Sequence, residues 1–120
     1  MKPVLVLHLR DTYEIGGPGK TILETFRAID QCRFQLHLGV FLKRGEAQDS
    51  PFIKEAKHIG MPVHFIIGDH QYDPRMIVKV NEVVRSEKID IVHAHEVKSD
   101  VIAYLASRLQ PIPIVTTLHG

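Results

Sequence analysis

Five short apolar segments rich in Val, Ile, Leu and Phe alternate along the chain with longer segments of helical period. Val4–Leu9 is an unbroken apolar run between Pro3 and the polar Arg10-Asp11, which predicts a strand buried on both faces. Thr21–Ile29 carries Ile22, Phe26 and Ile29 at helix spacing. Phe34–Leu42 begins by alternating, with Phe34, Leu36 and Leu38 on one face, then becomes apolar throughout. Ser50-Pro51 predicts a helix start, a hydroxyl acceptor followed by proline at the first helical position. Ile53, Ala56 and Ile59 supply that helix's apolar face, and Gly60 its C-terminal stop. Val63–Ile67 predicts strand three. Asp73-Pro74 repeats the cap-and-proline start ahead of Ile77, Val80, Val83 and Val84. Ile89–Ala94 predicts strand four, Ser99 caps a helix carrying Ile102, Leu105 and Leu109, and Ile114–Leu118 predicts strand five after Pro111-Ile112-Pro113.

Apolar strands separated by helices imply a parallel sheet covered on both faces. The expected fold is therefore α/β: a three-layer Rossmann-like domain over residues 1–120, strand order 3-2-1-4-5. The flavodoxin-like order 2-1-3-4-5 is the alternative.

At 120 residues there is room for one domain, and 44% hydrophobic with 24% charged residues is ordinary for a globular chain. Lys+Arg 15 against Asp+Glu 14 leaves a formal charge of +1, which gives no electrostatic basis for nucleic-acid binding. Apolar runs are too short to cross a bilayer, and Met1-Lys2-Pro3 leads into a strand without a signal-peptide pattern. The single Cys32 rules out an internal disulfide and a thiolate zinc cluster. Eight histidines are the compositional oddity.

In open parallel sheets ligands bind beyond the carboxyl ends of the strands, where strand order reverses. For the order 3-2-1-4-5 that place lies between strands one and four. The segment Arg10–Lys20 follows strand one, His93, His95 and Glu96 stand at strand four, and His119-Gly120 follow strand five, with His8 just inside. Gly19-Lys20-Thr21 mimics the end of a P-loop, but Glu14 occupies the place of the first required glycine, so a P-loop NTPase is not the expected reading. Gly17 and Gly19 are spaced as in a dinucleotide-binding loop, yet Ile22 stands where the third glycine belongs. What remains is either a tight turn or an anion site, with glycine amides and a helix dipole facing a phosphate. His93 and His95 share one side of the sheet, but a His-x-His pair without cysteine is a weak metal signal, so no metal is expected. Hydrogen bonding of a polar ligand suits neutral imidazole better. His37, His58, His64 and His70 lie away from this edge and read as structural or solvated, and Cys32 takes no role.

Three stretches are similar to a known family. Gly16-Gly17-Pro18-Gly19-Lys20-Thr21 after strand one, Asp90–His95, and Pro113–Gly120 resemble the N-terminal domain of family 4 glycosyltransferases, retaining enzymes of the GT-B fold. The resemblance runs over the whole chain. It implies half of a GT-B fold and transfer of a sugar from a nucleotide-sugar donor to an acceptor, without a metal or other cofactor. By the same resemblance Gly16, Gly17 and Gly19 face the donor diphosphate, His119 is the catalytic histidine beside the transferred sugar, and His93, His95 and Glu96 line the acceptor side. Such enzymes act on the cytoplasmic side, some peripherally at the inner face of the membrane on lipid-linked acceptors. The family's second, nucleotide-holding domain has no counterpart in these 120 residues, so a truncated and inactive fragment is expected. A stand-alone nucleotide- or sugar-phosphate-binding module is the alternative, and a histidine-site metal hydrolase a weaker one.

The expected topology carries one more consequence. Helices one and two cover one face, helices three and four the other, leaving strands four and five bare on the first face. Ile91, Val92, Ile114, Val115 and Leu118 are the residues exposed to that risk, and a homo-oligomer is expected.

Overall fold

The structure, a computed structural model, describes residues 2–11 and 17–117. Its elements run β1 (Val4–Arg10), α1 (Gly17–Ala28), β2 (Phe34–Lys43), α2 (Pro51–His58), β3 (Val63–Gly68), α3 (Pro74–Ser86), β4 (Ile91–Ala94), α4 (Val97–Leu109) and β5 (Ile114–Thr116). The strands form one parallel sheet in the order β3-β2-β1-β4-β5, so the expected order holds and the flavodoxin-like alternative falls.

Because both faces of the central strands are covered, side chains of alternating parity enter two different cores. Leu7, Leu9, Phe41, Ile66 and Val92 pack with Met76, Val80, Val83 and Val84 of α3 and with Ile102, Ala103 and Ala106 of α4. Leu36, Leu38, Val40 and Leu42 pack with Ile22 and Leu23 of α1 and with Phe52, Ile53 and Ala56 of α2. Gly39 in β2 is a packing requirement: a Cβ there would come within 2.8 Å of a Leu9 methyl and 3.0 Å of Ile66 Cδ1.

Local signals act as expected at two helix starts. Ser50 Oγ accepts from the Ile53 amide, and Asp73 Oδ1 accepts from the Arg75 amide at 3.0 Å. Gly60 takes φ +89 after α2, a conformation glycine adopts without penalty.

Elsewhere the boundaries shift for physical reasons. α1 begins at Gly17, so Gly17 and Gly19 belong to a helix rather than to a loop. β4 begins at Ile91, because Ile89 and Asp90 are drawn into other bonds. The Ile89 amide donates to Val84 O, and Asp90 exchanges bonds with the Leu5 backbone through its own amide and carboxylate. α4 begins at Val97 with Glu96 as its cap, not Ser99. Ser99 sits three residues inside, its Oγ donating to Glu96 Oε2 at 2.7 Å and accepting from the Glu96 amide at 3.2 Å. Finally, Val92 and Ile114 pack in the α3–α4 core, whereas Ile91 and Val115 pair with residues of the other face. The bare surface is thus smaller than the sequence suggests, but it is real: Val115 is 47% exposed. Leu118 lies outside the described residues.

Candidate functional site

β1 and β4 lie side by side because strand order reverses between them, and their register is decisive. His8 pairs directly with His93, and His95 follows one pleat later on the same side. Three imidazoles therefore converge at the carboxyl end of the sheet. Their centroids are 5.0 Å apart for His8–His93, 5.1 Å for His8–His95 and 4.2 Å for the stacked His93–His95. His8 Nδ1 and His95 Nε2 are 2.9 Å apart, a hydrogen bond in which one ring donates and the other accepts. His93 Nε2 bonds to Thr117 Oγ1 beyond β5. Burial, and secondarily the neighbouring His93, push the His8 pKa down to about 3, so His8 is neutral at physiological pH.

Beside the imidazoles lies a charged frame. Arg10, the last residue of β1, is 2% exposed and its Nε meets Glu96 Oε1 at 2.8 Å. The other carboxylate oxygen of Glu96 accepts from the Asp11 amide at 2.9 Å and from Ser99. Lys98, also buried, reaches Asp11 Oδ1 at 3.5 Å. Glu96 thus locks the exit of β1 to the start of α4. The Arg10 guanidinium lies over the Phe52 ring at 5.4 Å, and a Cβ on Gly19 would stand 3.1 Å from Arg10 Nη1 and 3.3 Å from Phe52. A glycine at that point lets α1 settle on the arginine.

Along α1 runs a groove of about 540 Å³. Its walls are Thr21, Ile22 and Thr25 of α1 with Ile29 just past the helix, and its floor includes Val6, His8, His93 and His95. A largely apolar trough ending in neutral imidazoles can bury a ligand's apolar surface while hydrogen-bonding its hydroxyls.

Of the residues singled out from sequence, the structure brings His93, His95 and Glu96 together and adds His8 to them. Gly17 opens α1, and Gly19 is buried in its first turn against Arg10. Gly16 and His119 lie outside the described residues. Sequence reading treated Arg10 as a polar strand boundary and passed over Lys98 and Thr117. The signal for Arg10 was its parity: two residues beyond His8, it returns to the same face. His37 and His64, set aside as structural or solvated, form a second pair. Their Nδ1 and Nε2 are 3.0 Å apart on the α3 side of the sheet.

Comparison with known proteins fits this geometry. The family model of Glycosyltransferase Family 4 matches residues 15–120. An Escherichia coli UDP-Gal:alpha-D-GlcNAc-diphosphoundecaprenol alpha-1,3-galactosyltransferase is 35% identical over 49 residues, 40% of this chain and 13% of that enzyme. Among solved structures, Anabaena HepE in complex with UDP superposes with a TM-score of 0.75 at 20% identity, over 97% of this chain and 29% of that one. A Listeria monocytogenes putative UDP-N-acetylglucosamine 2-epimerase gives 0.65 at 15% identity, over 100% of this chain and 32% of that one. The chain thus spans a third or less of each of these proteins.

Proposed function

Because the chain belongs to glycosyltransferase family 4, we propose that it forms the acceptor-side half of a cleft in which a sugar passes from a nucleotide-sugar to an acceptor hydroxyl with retention. The observation that carries this reading is the convergence of His8, His93, His95 and the Arg10–Glu96 frame at the strand-order switch of a family 4 chain. Support for a uridine nucleotide comes from HepE, solved with UDP, and from the galactosyltransferase relative, named for UDP-Gal.

In the proposed reaction the acceptor oxygen bonds to the anomeric carbon as the bond from that carbon to the diphosphate breaks, and the hydroxyl proton leaves with the diphosphate. His93 and His95 orient the acceptor, since neutral imidazole both donates and accepts. Glu96 has its oxygens committed to Arg10, Asp11 and Ser99, so its part is to position the site rather than to touch substrate. Gly16 and Gly17, at and before the α1 N-terminus, face the diphosphate, which the helix dipole favours, while Gly19, buried against Arg10, seats the first turn behind them. His119 stands beside the transferred sugar. The transfer itself calls on no metal. Among the described residues no helix is long and apolar enough to cross a membrane. Action at the cytoplasmic side, on acceptors that include lipid-linked ones, belongs to the same proposal.

Release of UDP from a panel of UDP-sugars tests the reading, with the chain alone and with the chain joined to a family donor domain. Release is expected only from the joined protein. His93→Ala should lower it about 10²-fold, the scale of one lost stabilising contact, while His37→Ala leaves it unchanged. Turnover by the chain alone, or equal turnover in all three joined proteins, would overturn the proposal.

A further inference from the structure

The histidine cluster has a second chemistry available to it. Spacing along β4 offers only two imidazoles, too few for a metal site. The β1–β4 register supplies a third, and the ligand nitrogens of His8, His93 and His95 all lie within 4.8 Å of one another. We infer that these three histidines form a binding site for a divalent transition-metal ion of the zinc class, with its fourth coordination position open to the groove along α1.

Geometry and donor type both select that class. Three imidazoles around a tetrahedral ion at about 2.0–2.1 Å stand roughly 3.3 Å apart nitrogen to nitrogen, close to the 2.9 Å already separating His8 Nδ1 from His95 Nε2. The ion takes the place of the proton those rings share, and that proton moves to the far nitrogen of the ring that holds it. Each ligand stays neutral. The three side chains of the cluster offer nitrogen ligands alone. The Glu96 carboxylate is committed to Arg10, Asp11 and Ser99, which disfavours magnesium, manganese and calcium, ions that prefer oxygen. Thr117 bonds to His93 and orients its ring, as outer-shell partners of metal ligands do. His8 is buried within β1 and His95 is buried just beyond the end of β4, and the groove gives an entry path. Three protein ligands with an open fourth position is the arrangement of a site that binds a further ligand rather than of a closed structural site. The ion would join β1 to β4 and leave its open position for a small ligand in the groove, apart from the transfer step itself.

The test is independent of the glycosyl-transfer reading, because it reads the metal alone. The 120-residue chain, stripped with chelator, is dialysed against Zn²⁺ and assayed for bound metal. A parallel titration uses Co²⁺, whose visible absorption reports coordination number. One equivalent of Zn²⁺ and the intense spectrum of four-coordinate Co²⁺ are expected. His93→Ala should weaken binding by about 100-fold or more, and His37→Ala should leave it unchanged, although His37 also belongs to a histidine pair. The wild-type cobalt spectrum needs no variant, so a His93→Ala protein that fails to fold does not blunt the test. Sub-stoichiometric retention, a six-coordinate cobalt spectrum, or binding undiminished in a folded His93→Ala would each overturn the site.

Discussion

The sheet carries a histidine cluster on each face, and chemically the two start alike. His8–His95 on the α1 side and His37–His64 on the α3 side are both imidazole pairs, with nitrogens 2.9 and 3.0 Å apart. In both, burial is the leading cause that lowers the pKa values of His8, His37 and His64. Topology separates them. His8, His93 and His95 stand at the carboxyl ends of the two strands between which strand order reverses, with a groove in front and a buried ion pair behind. His37 and His64 are stacked near the start of β3, on the face closed by α3, with Glu87 and Lys79 as their charged neighbours. Residue type makes both clusters polar, but position on the sheet makes one of them a site.

The strongest way to break this difference is to remove the charged frame, which the α3-side pair lacks. Glu96→Ala would remove the carboxylate that meets the buried Arg10 guanidinium, and would untie the Asp11 amide and Ser99 together. A loss of about 3–5 kcal/mol in urea-unfolding stability is expected. The exposed pair Arg27–Glu55 is the control, where Glu55→Ala should cost less than about 1 kcal/mol. Equal losses in the two variants would show that Glu96 is no keystone of this edge.

That frame also marks how far the sequence alone could be read. Strand order was legible because apolar runs such as Val4–Leu9 name buried strands, and the two proline-led helix starts name their helices. His93, His95 and Glu96 were legible as site residues because a strand end is a position that pattern can find. The third histidine's role was not, since it depends on His8 facing His93, and register between strands 85 residues apart in sequence has no local signal. Arg10 looked like the polar end of a strand for a related reason: its partner, Glu96, is supplied by another element. Ser99 misled because a hydroxyl near a helix start reads as a cap, and only the tertiary pull of Arg10 and Asp11 makes Glu96 the cap instead.

Acid offers a second, smaller probe, and it sharpens the comparison by pH window. His8 protonates freely near 6.5 once unfolded but resists protonation down to about 3 in the fold. Between those values the unfolded chain binds the extra proton, so stability falls as pH falls, by about 1.4 kcal/mol per unit, or about 2 kcal/mol from pH 6.5 to 5. His93 and His95 are the groups that face it. In His8→Gln this part of the slope should vanish from denaturation curves measured at each pH. The Asp69 carboxylate, held below its ordinary pKa by hydrogen bonds and charge from Arg44 and Arg75, loses its contribution only in more acid solution. An unchanged slope between pH 6.5 and 5 in His8→Gln would mean that His8 is solvated and that the cluster is not a dry one.

The smallest effect expected concerns the open part of the α1 face, where the two faces of the sheet differ most in cover. On the α3–α4 face, Val92 and Ile114 are packed by helices. On the other, Ile91 and Val115 flank His93 with no helix of the described residues across them. β5 pairs only with β4 among the described residues, so its outer edge presents backbone donors and acceptors as well as the half-exposed Val115. An apolar surface next to an unpaired strand edge favours pairing with a second copy of the same chain. The 120-residue chain is therefore expected to self-associate, and Val115→Lys should weaken that association. A lysine there must desolvate its charge on contact and repels its symmetry mate, an effect on the order of 1.4 kcal/mol, or tenfold in the dissociation constant. Light scattering across a concentration series reads this directly. The corresponding substitution on an already exposed helix position, Val78→Lys, serves as the control and should leave the association as it was. A wild-type chain that stays monomeric at high concentration would show that the open face repels its own copies, and the difference between the two faces would then be one of shape alone.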